Sequence, residues 1–149
     1  MKFRPILLGI IAAGLTAYLT LYAASPEVTV YKTSTCGCCN MWVEHLRSNG
    51  FKVTVHEVET TDEARAKYGI PEKLGSCHTA VVEGYAIEGH VPAAEIKRLL
   101  KERPKATGLA VPGMPMGAPG MDGPRSDPYS VLLVGTEGKT SVYQKYGAR

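Results

Sequence analysis

Three of the chain's four cysteines fall within four residues, Cys36-Gly37-Cys38-Cys39, and the fourth is Cys77. Thiolates are nucleophiles, redox couples and soft metal ligands, so this run is suited to two kinds of chemistry. Cys36 and Cys39 have the C-x-x-C spacing of a dithiol couple, in which Cys36 would attack and a sheltered Cys39 would resolve. Cys38 is surplus to that couple, because a disulfide needs only two sulfurs. A third adjacent thiol makes sense where several sulfurs converge on one soft ion. Single buried cysteines are ordinary core residues, but three in four residues at a polar junction are not accounted for that way.

Two elements must position this run. Val28-Thr29-Val30-Tyr31 reads as a short strand before it. After it, Cys39, Trp42, Val43 and Leu46 recur at i, i+3, i+4, i+7, one face of a helix. Thr33, Ser34 and Thr35 offer hydroxyls to cap that helix, and Asn49-Gly50 ends it. The cysteines therefore lie at a helix N-terminus, where unpaired N–H groups and the macrodipole favour an anion. Further on, Phe51–Glu57 alternates as a strand, and Asp62–Tyr68 is a short helix closed by Gly69 and Pro71. Gly75-Ser76-Cys77-His78 is a loop feeding a strand at Thr79–Glu83, and a turn at Gly84 leads to a strand at Tyr85–Glu88. A last helix begins at Pro92, carries Ile96, Leu99 and Leu100 on its apolar side, and stops at Pro104. The order βαβαββα over about 80 residues predicts an α/β domain spanning residues 26–104.

The remainder, residues 105–149, is an extension. Ala106–Asp127 is rich in Gly and Pro, carries Met114, Met116 and Met121, and shows no strand or helix period. Tyr129–Gly135 and Thr140–Tyr146 around Glu137-Gly138 predict a β-hairpin, which must dock on the main sheet because an isolated hairpin is marginal. The extension is expected to be dispensable for folding of the first domain.

Residues 1–25 form a third region. Lys2 and Arg4 precede an apolar stretch from Ile6 to Ala24, which reads as an export signal or as an N-terminal membrane anchor. Either form places the cysteines outside the cytoplasm, in the periplasm of a Gram-negative cell, soluble or held at the inner membrane by residues 6–24. The membrane is otherwise not a partner. The formal charge of +3 drops close to zero without Lys2 and Arg4, leaving 15 basic against 14 acidic residues. With no basic face interleaved with aromatics, nucleic acid is excluded as a partner.

A βαβαββα chain with C-x-x-C between its first strand and helix resembles the thioredoxin and glutaredoxin fold. Cys36-Gly37-Cys38-Cys39, Cys77-His78-Thr79-Ala80, Gly84-Tyr85, Glu88-Gly89-His90-Val91-Pro92 and Gly108-Leu109-Ala110-Val111-Pro112-Gly113-Met114-Pro115 together resemble the CopG-type copper-resistance proteins. Those are exported thioredoxin-like proteins with a CxCC motif and a C-terminal extension. The resemblance implies periplasmic copper binding, interconversion of copper oxidation states, and delivery to an efflux or redox partner. It also implies that the loop holding Cys77 faces the C-x-x-C motif. In thioredoxins that loop usually holds a cis-proline, and here it has none.

The metal-ligand set read from the chain is Cys36, Cys38, Cys39 and Cys77, closed by Met114 with Met121 or Met116. His78 joins only if its loop is irregular, because neighbours on a strand point to opposite faces. Thioethers and thiolates together select copper in its soft Cu(I) state, and adjacent thiolates permit a bridged, multinuclear cluster. His90 is expected to bond a turn, His45 and His56 to be solvated, and Trp42 to be core. Charged residues are read as a solvated surface. The competing function is a metal-free thiol–disulfide oxidoreductase using Cys36 and Cys39. A zinc site fits less well, since it would leave the methionines unused.

Overall fold

The computed structural model describes residues 25–147. The predicted export segment lies outside the described residues, apart from its last position. Among the described residues no helix is long and apolar enough to cross a membrane.

Val28 and Val30 point to one side of β1 (Glu27–Lys32) and are fully buried, as period-two alternation demands. Helix α1 (Gly37–Ser48) buries Cys39, Trp42, Val43 and Leu46, the predicted stripe. It ends at Asn49, and Gly50 follows at φ +87°, a conformation that side chains disfavour. Strand β2 (Lys52–Glu57) lies parallel to β1, with α1 as the crossover between them. Helix α2 (Asp62–Lys67) and a 3-10 turn at Glu72–Leu74 lead to β3 (His78–Val82), which runs antiparallel to β1. The hairpin partner β4 (Tyr85–Glu88) follows, then helix α3 (Ala93–Glu102). The thioredoxin-like βαβαββα arrangement predicted from the sequence is thus present.

One strand was not foreseen. Gly108–Ala110 forms β5, parallel to β4, inside the stretch expected to hold no regular structure. Three residues are too few for a period to show. Gly108 is required there, because a β-carbon would fall 1.7 Å from the Ala86 carbonyl oxygen. Strands β6 (Tyr129–Val134) and β7 (Thr140–Tyr146) complete a single seven-stranded sheet in the order β2-β1-β3-β4-β5-β6-β7. The hairpin docks as expected, with β5 bridging it to the older strands.

Leu109, Val111 and Val131 join Trp42, Ile87, Ile96 and Leu99 in one apolar core. Ala110 and Val134 join Ile70, Leu74 and Ala86 in a second cluster. Helix α3 grips the hairpin too: Arg98 donates to the Tyr143 carbonyl at 2.7 Å and lies over its ring, and Tyr146 donates to Glu95 at 2.9 Å. Each fully buried Leu or Val contributes about 1.5–3 kcal/mol, so the extension holds part of the core that residues 26–104 share.

Candidate metal centre

Cys36 sits at the N-cap of α1 with extended backbone, its N–H donating to the Thr33 carbonyl at 3.2 Å. No side chain caps this helix, so the predicted Thr33, Ser34 and Thr35 caps do not form. The first-turn amides and their partial positive charge are thus left to the cysteine run itself. Cys36 and Cys39 are joined as a disulfide, while Cys38 and Cys77 are free thiols. Cys39 is fully buried and Cys36 is partly exposed, the asymmetry expected of a resolving and an attacking thiol.

Cys77 comes to this helix end from the loop before β3. Its Sγ lies 4.0 Å from Cys38 Sγ, which is itself 3.5 Å from Cys36 Sγ. Cys39 Sγ lies 3.6 Å from the Cys77 carbonyl oxygen. All four sulfurs fall within 4.8 Å of one another. Two sulfurs about 4 Å apart can both reach one ion at a metal–sulfur distance of about 2.3 Å. With Cys36 and Cys39 reduced, the donor set fits a thiophilic ion.

Two histidines complete the wall. His90 was expected to bond a turn, and it does more. Its Nδ1–H donates to the Pro119 carbonyl at 2.7 Å, which leaves Nε2 bare, and Nε2 faces Cys77 Sγ at 2.9 Å. His78 places Nδ1 3.5 Å from the same sulfur, so the loop does bring both residues together. The His78 ring packs on Trp42 with centroids 4.3 Å apart, and its buried Nε2 has no hydrogen-bond partner. Burial, and then the neighbouring His90, pushes the His78 pKa down to about 3. Burial likewise lowers His90. Both rings are therefore neutral, the form that binds metals. Burial and adjacent Cys38 push the Cys77 thiol up to about 12, so it keeps its proton until a metal displaces it.

The methionine loop lies over the start of α1. A β-carbon on Gly120 would meet Trp42 N at 2.7 Å and the Cys38 carbonyl oxygen at 2.8 Å, so the loop touches helix backbone there. Met121 is half-buried in that turn, its N–H bonded to the Ala118 carbonyl. Met114 follows Gly113, which is bonded to Gly75 and Ser76 beside Cys77, and its own side chain is 57% exposed. Met116 places its methyl beside Gly123, farther along the loop.

Some charged and polar residues are not solvated as read. His45 is half-buried and its Nε2 accepts the Ala93 N–H at 3.1 Å. Lys32, Arg65 and Glu88 are buried. His56 is exposed and stacks on Tyr31, and Trp42 is core, donating Nε1–H to the Val91 carbonyl.

Family comparisons agree with this geometry. A glutaredoxin model matches residues 28–70, and a model described as a protein of unknown function, DUF411, matches residues 74–121. No curated protein compared with the chain matches it. Two solved structures named copper resistance protein copG, form 1 and form 2, are each 44% identical to it. Each is covered over 99% of its length and 83% of this chain, with a TM-score of 0.79. The chain belongs to the CopG copper-resistance family. In it, the glutaredoxin match ends before Cys77, so the two walls of the sulfur cluster fall in separately matched segments.

Proposed function

We propose that this chain is an exported copper-resistance protein that gathers copper on Cys36, Cys38, Cys39 and Cys77 and exchanges electrons between the ion and the Cys36–Cys39 couple. The observation that carries this reading is the convergence of four sulfurs from two distant segments within 4.8 Å. Opening the disulfide to two thiolates consumes two electrons, the number released when two Cu(I) ions become Cu(II). The reverse reaction returns both electrons to copper. His78, with its unpartnered nitrogen, and His90, with its bare one, extend the donor set, and Met114 and Met121 supply thioethers from the loop. Adjacent thiolates that bridge ions make the cluster multinuclear. Its place is the periplasm, free or tethered by residues 6–24, with an efflux system or an electron carrier as partner.

The test is metal analysis of protein purified without oxygen and then reduced. More than one copper per chain is expected. Cys36→Ser and Cys39→Ser should each remove most of it, and His56→Ala should remove none. Equal losses in all three variants would move the site elsewhere. The Cys36–Cys39 disulfide favours a second reading, a metal-free thiol–disulfide oxidoreductase. Insulin reduction by metal-free protein that binds no copper would select it.

A further inference from the structure

Thioredoxin-like proteins commonly hold the loop facing their cysteines with a cis-proline, and this chain has neither the proline nor, among its described residues, any cis peptide bond. Something else must fix the direction of Cys77. Glu88, at the end of β4, is fully buried. Its Oε1 accepts the Ser76 N–H at 2.7 Å and Arg65 Nε at 3.0 Å, and its Oε2 accepts the Thr79 hydroxyl at 2.6 Å. One carboxylate thus holds a residue on each side of the Cys77-His78 pair. Arg65, also buried, donates to the Ser76 carbonyl at 3.1 Å, so the backbone N–H and C=O of Ser76 are both held by this ion pair. The remaining polar group of Ser76, its hydroxyl, donates to the Gly113 carbonyl, immediately before Met114.

We infer that the buried Arg65–Glu88 pair is the positioning device that aims the Cys77 thiol at Cys38 and seats the first turn of the methionine loop. A buried ion pair is weak evidence of stabilisation, since well-packed apolar residues often replace one at no cost. Here the bonds that the pair makes to this segment fall on Ser76 and Thr79, the two residues that flank Cys77-His78. The guanidinium is itself held by the Thr61 hydroxyl at 3.0 Å and Asp62 at 2.8 Å, one turn earlier at the start of helix α2, which carries Arg65. Arg65 and Glu88 touch no ion themselves and act through Ser76. This deepens the proposed copper site, and it can fail or hold independently of that reading.

The experiment uses the full chain in two states. In the oxidised protein Cys38 and Cys77 are the free thiols, and phenylarsine oxide, whose arsenic bridges two thiols, is the metal-free probe. The unaltered protein should bind one equivalent. Glu88→Gln, and the charge-free pair Arg65→Met with Glu88→Leu, should bind it roughly tenfold more weakly, the scale of one or two lost buried hydrogen bonds. In the reduced protein, Cu(I) affinity measured by chelator competition should fall by a similar factor while Cys77 is present. In a Cys77→Ser background the same substitutions should change it less than about twofold, because positioning has nothing left to position. An equal loss in both backgrounds would make the pair a general structural support and overturn the inference. Undiminished arsenic bridging in both variants would overturn it as well. Should Glu88→Gln fail to fold, the charge-free pair decides the matter. Protein that bridges arsenic but takes no copper would sink the proposed function and leave this inference standing.

Discussion

The two walls of the sulfur cluster are built by different means. One is local: strand β1, a four-residue turn that ends in Cys36, and helix α1 deliver Cys36, Cys38 and Cys39 from four consecutive positions. The other is assembled at long range from the loop before β3, the second residue after β4 and the loop beyond β5, which contribute Cys77, His90 and Pro119. The local wall needs only a strand and an amphipathic helix to exist. The remote wall needs the register of β3 against β4, the placement of β5 and a buried ion pair. Damage far from the sulfurs should therefore reach the cluster through the remote wall and spare the local one.

The largest expected effect breaks the remote wall outright. Removing residues 105–149 strips Leu109, Val111 and Val131 from the main core and exposes the edge of β4. Lost burial of about 1.5–3 kcal/mol for each such side chain is comparable with the whole stability of a marginally stable domain. Thermal unfolding of residues 26–104 followed by circular dichroism should show no cooperative transition. A sharp transition would show that residues 26–104 fold as an independent domain.

A subtler break is His90→Gln. It removes the imidazole that faces Cys77 and the bond to Pro119, while every cysteine stays. Cu(I) affinity should fall roughly tenfold, on the scale of one or two buried hydrogen bonds. Insulin reduction by Cys36 and Cys39 should change less than about twofold, because the local wall is intact. Comparable losses in both assays would erase the distinction between the walls.

The smallest effect is a pH profile. His45 stands on the local wall but accepts the first N–H of α3, and burial lowers its pKa from the usual 6.5. The charge of Asp122 opposes the shift and is the weaker influence. A folded pKa below the unfolded one means the unfolded chain binds protons first on acidification. His45 therefore contributes stability that is complete above about pH 6.5 and declines as pH falls toward its folded value. His45→Gln should flatten that part of a urea-denaturation profile by about 1 kcal/mol. An unchanged slope would show that protonation leaves the contact with α3 intact.

Much of this was legible in the chain. The C-x-C-C run, the Cys39-Trp42-Val43-Leu46 stripe and the hairpin each announce themselves by spacing alone. His90 was also available from the sequence. The β3–β4 turn sets Thr79 opposite Glu88, and continuing that register brings Cys77 opposite His90. Strand β5 was not legible, because three residues carry no period and its pairing on both edges is a tertiary fact. The Arg65–Glu88 pair was hidden for a related reason. A charge on a short helix looks solvated until the partner, 23 positions away, is known to lie beneath it.

The contact between Gly120 and helix α1 has a further consequence. Loop and helix backbones meet there with no room for even one methyl group. Interfaces packed that closely do not give way gradually; they hold or they part. A side chain at position 120 would accordingly have to push the loop off the start of α1 beside Cys38.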